Sequence, residues 1–470
     1  MKIKPVSPRS LAVIAAGTAL VLLTYVTPMA TLPGTAADLG ADATARAWLL
    51  SAMPVGLAAG LLAAGVLGDN FGRRLVYVVG LAVLAIGAFG CAAAREPVVF
   101  VAARILEGLG GAAILACGLA ILANDFHEPQ RRGHATAVWG ASVGVGISLG
   151  VVLSAALGTP LWRESYLAVG AVALILLWPS VSRIHESRAA NRRRLDVGGL
   201  VLFATAMTLT VCALTRGRDG VDVVTSVLAL AAVSALAGFV VVGRRTRDPL
   251  IEPELLRHRG FRVAAIGSMA VGAGITATAS FLPTLVQVGL GAGLWTVAVL
   301  VIAWSGTSVA TSVLLTRVGR SIDGSLPIAV LLVVVGFGQL LGYGLSADSS
   351  PWRLVPSMAI AGVATGLLNA LLGRQAVASV GPDRAAMGSG ANNTARYLGA
   401  AIGITLFVVI ATHVGDNLIA GWNAAVLVSA ALTLIGACAV ALAGKPARTK
   451  TIPPSLRSPQ ATPTRATNGA

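Results

Sequence analysis

The sequence contains little charge for its length. Asp, Glu, Lys and Arg together make up 11% of its 470 residues, whereas roughly a quarter of the residues in a soluble globular protein are charged. Ionised side chains this sparse cannot cover a particle of this size with a hydrated surface. The low charge content therefore excludes an ordinary soluble protein.

Cysteine and acidic residues are also scarce. The chain has four cysteines, and its 19 Asp and Glu residues are outnumbered by 35 Lys and Arg residues. The cysteines all lie inside apolar runs and lack the spacing of metal ligands, so neither a metal site nor a disulfide framework is expected. No cofactor is implied. The four are Cys91, Cys117, Cys212 and Cys438.

The surplus of basic residues does not indicate a nucleic-acid partner. It gives a net charge of +16, but the basic residues occur in short segments between apolar runs. A nucleic-acid interface needs a contiguous basic face, often with interleaved aromatic residues, and the sequence has neither. The partner that the composition predicts is the lipid bilayer.

Apolar length is what the sequence has in abundance. Hydrophobic residues make up 56% of the chain, and its mean hydropathy is +0.82. A helix needs about 20 apolar residues to cross a hydrocarbon core about 30 Å thick, and membrane-spanning strands would be shorter and alternate in polarity. We therefore predict an all-α membrane protein with fourteen spans, at 11–32, 46–67, 75–94, 98–122, 134–157, 165–182, 196–215, 221–243, 261–286, 294–316, 325–346, 353–375, 390–412 and 421–443.

The two ends of the chain differ from the apolar middle. The basic segment 1–10 leads into an apolar run that is longer than the about 7–15 residues of a signal peptide. We therefore expect an uncleaved first span behind a short cytoplasmic segment. The tail at 444–470 is rich in Pro, Thr, Arg and Ala, and we expect it to be disordered.

The positions of Lys and Arg predict the orientation. Of the 35, 27 lie in the N-terminal segment, the C-terminal tail and the even-numbered connections, and six lie in the odd-numbered connections. Lys and Arg are enriched in the cytoplasmic connections of membrane proteins. The sequence thus predicts a multi-pass protein of a bacterial-type inner (cell) membrane with both termini in the cytoplasm.

The longest polar connections indicate how the spans are grouped. The connections at 183–195 and 244–260 bracket spans seven and eight. This pattern predicts a six-helix bundle at 11–182, an inserted helix pair with its loops at 183–260, and a second six-helix bundle at 261–443. Because no segment is long and polar enough to form a soluble domain, the protein is not expected to be an enzyme.

A motif rich in glycine and charge joins spans two and three. It reads GVLGDNFGRR over residues 65–74. Its glycines would allow a tight turn, its carboxylate could accept hydrogen bonds from a helix N-terminus, and its arginines could reach lipid headgroups or bridge to the carboxylate. Such a group could lock one conformation and release in another. The residues that we assign to this conformational gate are Gly65, Asp69, Gly72, Arg73 and Arg74.

This motif resembles the signature of the major facilitator superfamily, G-x-L-x-D-R-x-G-R-R. Six of the seven fixed positions match, and Asn70 replaces an arginine. A degenerate second copy, SVLLTRVGR, occupies residues 312–320 and adds Arg317, Gly319 and Arg320 to the candidate gate. The resemblance implies two related halves that enclose a substrate site near the middle of the membrane.

Three further stretches are similar to the fourteen-span drug:proton antiporter branch of that superfamily. RILEG at 104–108 resembles R-x-x-Q-G, RDPL at 247–250 resembles an R-x-x-D-P-L-type segment, and NNTARYLG at 392–399 is close to N-N-T-x-R-x-L-G. Together the resemblance extends from about Leu11 to Gly444. It implies multidrug efflux, with protons as the coupling ion.

The sequence departs from the branch at two positions. Thr24 stands in span one where the branch usually has an Asp, and Gly150-Val151 replaces the Gly-Pro that is associated with antiporters. Proton coupling and uncoupled transport therefore both remain open.

Glu107 is the one acidic residue that lies well inside a predicted span. An ionised side chain at mid-membrane is unfavourable by about 2.5–3.5 kcal/mol or more, so its presence suggests a proton-coupling group. Arg104 lies three residues away on the same helix face, and the two could instead form a fixed ion pair. The sequence does not decide between these interpretations.

A second group of polar and aromatic residues inside spans could line a cavity or act in a gate. Each has an alternative explanation in helix packing or snorkelling. The group consists of Trp139, Trp304, Asn369, Asn392, Asn393 and Arg396.

The function that these features favour is secondary transport by alternating access, with export of hydrophobic or cationic small molecules. One alternative is a lipid or metabolite exporter, or a facilitator without proton coupling. A membrane enzyme or sensor would need a catalytic cluster or a soluble signalling domain, and the sequence has neither.

Overall fold

Every regular element among the described residues is a helix. The computed structural model describes residues 8–126, 128–157, 161–189, 196–217, 220–246, 249, 251, 253–317 and 324–444. Its α-helices are α1 Pro8–Asp38, α2 Ala43–Phe71, α3 Arg73–Ala93, α4 Pro97–Asp125, α5 Pro129–Leu157, α6 Trp162–Arg183, α7 Val197–Arg216, α8 Val223–Arg245, α9 Pro253–Arg257, α10 Arg259–Val271, α11 Ala277–Thr284, α12 Leu294–Arg317, α13 Ser325–Leu340, α14 Leu354–Ala378, α15 Ala385–His413 and α16 Leu418–Gly444.

The predicted all-α class is confirmed. Within the described ranges, 13 helical segments are long and apolar enough to cross a membrane, and the shorter apolar helix α13 makes a fourteenth candidate. Helix α13 ends at Leu340, whereas the predicted span runs to 346. The difference arises because side chains of α16 bind the backbone that follows: Trp422 Nε1 donates to the Gly342 carbonyl, and Asn423 Oδ1 accepts from the Gly344 N–H.

The ninth predicted span is interrupted rather than uniform. Helices α10 and α11 are joined by a π-helical turn at Gly272–Thr276, and a second one at Leu285–Gly289 ends the segment. The whole segment, Arg259–Gly289, is one membrane-crossing candidate. π-helical turns free backbone groups from the regular ladder and occur often at functional sites.

The helices on either side of α7 and α8 repeat one pattern of packing. Helix α2 packs against α4 as α12 packs against α14, and α3 packs against α6 as α13 packs against α16. The two groups meet where α5 contacts α12 and α14, and where α15 contacts α2 and α4. Repeated halves of this kind place a substrate site at their interface.

Within each of the two groups, a pair of glycines lets two helices approach closely, and the two helix pairs occupy equivalent places. A side chain at Gly146 or Gly150 of α5 would collide with backbone of α1. A side chain at Gly399 or Gly403 of α15 would likewise collide with backbone of α10 and the following turn. Because no hydrophobic effect drives association inside lipid, close backbone approach of this kind contributes directly to helix packing.

Helices α7 and α8 form a pair at the edge of the assembly. Helix α7 packs against α8, α2 and α15. Helix α8 exposes large apolar side chains such as Leu230 and Val233, as expected for a surface that faces lipid. Residues 190–195 and 252, which belong to the connections around this pair, lie outside the described residues, and the boundaries at 182 and 260 stay a prediction.

Candidate functional site

A central cavity of about 90 Å³ lies between the two groups of helices. It is lined by α1, α4 and α5 on one side, and by α10, α11, α12, α14 and α15 on the other. Five of the six residues predicted for a cavity or gate line it: Trp139, Trp304, Asn369, Asn393 and Arg396. The structure thus brings together side chains that are up to 257 positions apart in the sequence.

The sixth residue, Asn392, does not line the central cavity. Its side-chain oxygen accepts a hydrogen bond of 2.6 Å from the Ser268 hydroxyl of α10. The side chain therefore joins α10 to α15 in the helix interface. Adjacent residues on a helix point about 100° apart, which is why Asn392 faces a helix and Asn393 faces the cavity.

The cavity lies toward one end of the assembly. It reaches Leu294, the first residue of α12, and Ala155, which lies two residues before the end of α5. At the opposite end, α15 begins at Ala385 but contributes to the lining only from Asn393. Eight residues of helix separate these two positions, a rise of about 12 Å.

Arg396 is the charged residue in the lining. Its Nη1 donates a hydrogen bond of 2.6 Å to Asn369 Oδ1, whereas its Nε and Nη2 are buried without a hydrogen-bond partner. Among the described residues, no carboxylate lies within 4 Å of Arg396, and no acidic residue lines the cavity. The cavity therefore carries a positive charge without a counter-ion from the described part of the chain.

Four aromatic side chains stand among the mainly aliphatic residues of the wall. The rings of Tyr25 and Tyr397 lie 5.8 Å apart, centroid to centroid, across the junction of α1 and α15. Trp304 donates from Nε1 to the Thr365 hydroxyl at 3.4 Å, and Trp139 Nε1 is buried without a partner. Such a wall provides apolar surface together with a few hydrogen-bond donors, as in many small-molecule sites.

Arg104 and Glu107 form an ion pair away from the cavity. Arg104 Nη1 lies 2.6 Å from Glu107 Oε2, and both side chains are fully buried. The same nitrogen donates to the Thr24 carbonyl of α1 at 3.1 Å, and the guanidinium lies over the Tyr166 ring. Neither residue lines the cavity. The structure thus contains the ion pair considered from the sequence.

A charge clasp joins the two groups of helices at the end opposite the one that the cavity reaches. We use this name for Asp69, Arg73 and the first turn of α15. Asp69 accepts hydrogen bonds from the backbone N–H of Ala386 at 3.1 Å and of Met387 at 2.9 Å. Arg73 Nη2 lies 2.8 Å from Asp69 Oδ1 and donates to the Pro382 carbonyl at 2.7 Å. A carboxylate at a helix N-terminus is stabilised by the free N–H groups and the helix dipole.

The clasp lies within helices rather than in a loop. Helix α2 runs to Phe71 and α3 begins at Arg73, so Gly72 alone separates them. Gly72 has φ = 130°, a backbone conformation that L side chains rarely adopt. Arg73 is buried rather than extended toward headgroups. The expectation of a loop over residues 65–74 is therefore wrong, since glycine makes the turn in a single residue.

Gly65 and Arg74, the other two residues of the motif, contact α15 and the end of α6 respectively. A side chain at Gly65 would collide with the backbone at Ala386 and Met387, so its absence lets α2 approach α15. Arg74 Nη1 donates to the Val181 carbonyl at 3.3 Å. In the second copy of the motif, Gly319 and Arg320 lie outside the described residues, as does the side chain of Arg317.

The segment after α6 attaches to the clasp, which sequence reasoning missed. Glu186 accepts hydrogen bonds from the backbone N–H of Arg74 at 3.0 Å and of Leu75 at 3.1 Å. Farther along, the Ala189 N–H donates to the Asp69 carbonyl at 2.8 Å. An acidic residue within the basic connection 183–195 was the available signal, but its partner could not be read from the sequence.

Comparison with known proteins agrees with this geometry. The family model described as Major Facilitator Superfamily matches residues 14–404. The chain is 29% identical over 392 residues to the probable actinorhodin transporter of Streptomyces coelicolor, covering 80% of this chain and 67% of the relative. It is also 29% identical over 412 residues to the puromycin resistance protein pur8 of Streptomyces alboniger, covering 86% and 81%.

A solved structure shares the fold. The human organic anion transporter MFSD10 superposes with a TM-score of 0.64 at 18% sequence identity, covering 92% of this chain and all of that one. An identity this low supports the fold alone. Taken with the family match over most of the chain, these findings show that the protein is a multi-pass membrane transporter that belongs to the Major Facilitator Superfamily.

Proposed function

We propose that this transporter exports lipophilic small molecules, antibiotics among them, from the cytoplasm. The observation that carries the proposal is the largely apolar cavity, with four aromatic side chains, between the repeated helix groups. It is supported by relatives that are named as an antibiotic transporter and an antibiotic resistance protein. A lipid or metabolite exporter would share the fold, but neither of the two relatives reported above is named as one.

The proposed mechanism is alternating access by two six-helix bundles, α1–α6 and α10–α16. On the predicted orientation, the charge clasp lies at the cytoplasmic end and the cavity opens outward. Engagement of Asp69 with the first turn of α15 would close the cytoplasmic side. Release of these contacts would allow the bundles to rock and present the cavity to the cytoplasm.

Accumulation assays test the export function. Cells that express the protein should accumulate less of at least one compound from a panel of anionic, neutral and cationic lipophilic antibiotics and dyes than cells that carry the empty vector. Collapse of the proton gradient should abolish the difference if protons drive export. Equal accumulation of every compound in both cells would overturn the proposed substrate range.

For the driving force, we propose that proton entry acts through the Arg104–Glu107 pair. Arg104 holds the Thr24 carbonyl of α1, and the next two residues of that helix, Tyr25 and Val26, line the cavity. Protonation of Glu107 would remove the charge that Arg104 faces. The change could reach the cavity through α1 without a carboxylate in the lining.

The second candidate is export without proton coupling. It is favoured by the absence of acidic residues from the cavity lining and by the short Arg104–Glu107 contact. Measurements of transport and proton flux in proteoliposomes discriminate coupled from uncoupled export. Coupled export predicts substrate-linked proton flux that Glu107→Gln abolishes, whereas transport that survives a protonophore would support the uncoupled alternative.

A further inference from the structure

The polar atoms that the cavity leaves without partners are mainly hydrogen-bond donors. They are Nε and Nη2 of Arg396, Nε1 of Trp139 and the hydroxyl of Ser308, and each belongs to a residue of the lining. An arginine and an indole nitrogen can only donate, and a hydroxyl can do either. A ligand that satisfies these groups must bring acceptors.

The free atoms of Arg396 form one edge of its guanidinium group. Asn369 holds Nη1 from the other side, which leaves the Nε and Nη2 donors to point in parallel. This edge matches the two oxygens of a carboxylate in a bidentate contact. Asn369 thus fixes the orientation of the guanidinium and leaves its anion-binding edge without a protein partner.

We infer that the central cavity binds a lipophilic organic anion whose carboxylate or phenolate pairs with Arg396. This inference rests on the proposed export function and names its substrate class. The aromatic walls formed by Tyr25, Tyr397 and Trp304 accommodate the apolar body, while Arg396 supplies the charge. The expectation of a cationic substrate is not supported by this lining, because a cation would face Arg396 without a carboxylate to compensate.

Arg104 provides an internal contrast. Its Nε and Nη2 are also without partners, but Glu107 neutralises its charge at 2.6 Å and neither residue lines the cavity. A buried charge that is already paired has little tendency to recruit a second anion. Anion binding is therefore assigned to Arg396 alone of these two.

An anionic substrate also changes the energetics of export. An interior-negative potential of about 100 mV favours outward movement of a monovalent anion by about 50-fold. Export of such a compound can proceed on the membrane potential without a proton-binding carboxylate in the cavity. The anion class is therefore compatible with the acid-free lining.

Matched probes test the inference by direct binding. The purified protein in detergent is titrated with radiolabelled 1-naphthoate, 1-naphthamide and 1-naphthylmethylammonium, which share a ring and differ in charge. We expect the wild type to bind 1-naphthoate at least about tenfold more tightly than either of the others. Arg396→Gln should remove this preference and leave weak binding of the amide unchanged.

Two further variants separate charge from folding. Arg396→Lys keeps the charge but loses the planar edge, and it should retain a reduced preference for 1-naphthoate. Arg245→Gln removes one exposed charge at the end of α8 and should bind all three probes as the wild type does. Size-exclusion profiles establish that each variant is folded before it is titrated.

The outcomes distinguish this inference from the proposed function. Equal binding of naphthoate and naphthamide by the wild type, or a preference that survives Arg396→Gln, overturns the anion site and leaves the export measured with the compound panel untouched. A retained naphthoate preference without export of any compound from cells overturns the proposed function and leaves the site standing.

Discussion

Arg104 and Arg396 both lie well inside membrane-crossing helices, and their surroundings differ. Arg104 of α4 has Glu107 at 2.6 Å and is packed beneath Tyr166. Within the described part of the chain, Arg396 of α15 bonds to the neutral oxygen of Asn369 and to no carboxylate, and it borders the central cavity. A charge in low dielectric needs compensation. The first arginine finds it within the fold, and the second leaves it to a ligand.

The equivalent interior of the second helix group sharpens this contrast. There, Gln339 donates to Thr278 at 3.0 Å and to Ser429 at 2.8 Å, and Thr433 donates to Gln339 at 2.8 Å. These residues come from α11, α13 and α16, as the ion pair and its neighbours come from α1, α3, α4 and α6. One half is thus held by charge and the other by neutral hydrogen bonds.

Breaking the ion pair should produce the largest effect. Glu107→Leu leaves the buried Arg104 without compensation and should lower the free energy of unfolding by about 3–5 kcal/mol. Thermal unfolding in detergent measures the loss. The double variant Arg104→Met/Glu107→Leu removes both charges and should recover most of it. A double variant no more stable than the single one would contradict a role for charge compensation.

Weakening the clasp should have a smaller effect, and the effect should be on the conformation of the protein rather than on its unfolding. Asp69→Asn weakens charge-assisted hydrogen bonds to the first turn of α15, a change of about 1.5–3 kcal/mol in favour of the open cytoplasmic side. Labelling of a cysteine introduced near Gly390 should become faster. An unchanged labelling rate would mean that the contact does not hold this end closed.

Replacing the cavity arginine should leave the ligand-free protein nearly as stable as the wild type. Arg396→Gln removes a charge that has no carboxylate partner, so the free energy of unfolding should change by less than about 1 kcal/mol, or rise. Chemical denaturation of Arg396→Gln, Glu107→Leu and the wild type measures the free energy of unfolding of each for comparison. A loss as large as that of Glu107→Leu would erase the distinction between the two arginines.

The exposed pair of Arg216 and Asp222 should matter least. The two side chains lie 2.7 Å apart but are nearly half exposed, and the hydrogen bonds from Arg216 hold the pKa of Asp222 below its usual range. A lowered carboxyl pKa contributes stability above the ordinary value of about 3.9 and loses it as pH falls through the folded-state pKa. Asp222→Asn should leave the unfolding temperature at pH 7 unchanged, because solvent screens the pair. A clear decrease in the unfolding temperature would show that this exposed ion pair contributes to stability and cannot serve as the reference for the buried Arg104–Glu107 pair.

The sequence predicted the class of fold because lipid imposes a simple rule on composition. Apolar windows gave every long helix, although their ends were missed where side chains such as Asn423 bind the backbone. The residues of the ion pair, Asp69 and Arg73 of the clasp, and five of the residues that line the cavity were named in advance. What the sequence could not provide was which residues meet, because Asp69 contacts Ala386 across 317 positions.

The charge state of the cavity was the main feature beyond the reach of the sequence. Arg396 was a candidate, but the absence of an acidic partner depends on the packing of several helices. The orientation of the helices in the membrane stays a prediction. Labelling of a cysteine at Arg74 from the cytoplasmic side alone would agree with it, and labelling from outside would contradict it.

Ligand-dependent thermal stability of wild type and Arg396→Gln tests the central claim most directly. A ligand that binds only the folded protein raises its unfolding temperature, and the rise grows with the ratio of ligand concentration to Kd. The account predicts that saturating 1-naphthoate raises the unfolding temperature of the wild type, that 1-naphthamide has little effect, and that Arg396→Gln responds to neither. An equal rise in both proteins with 1-naphthoate would contradict it.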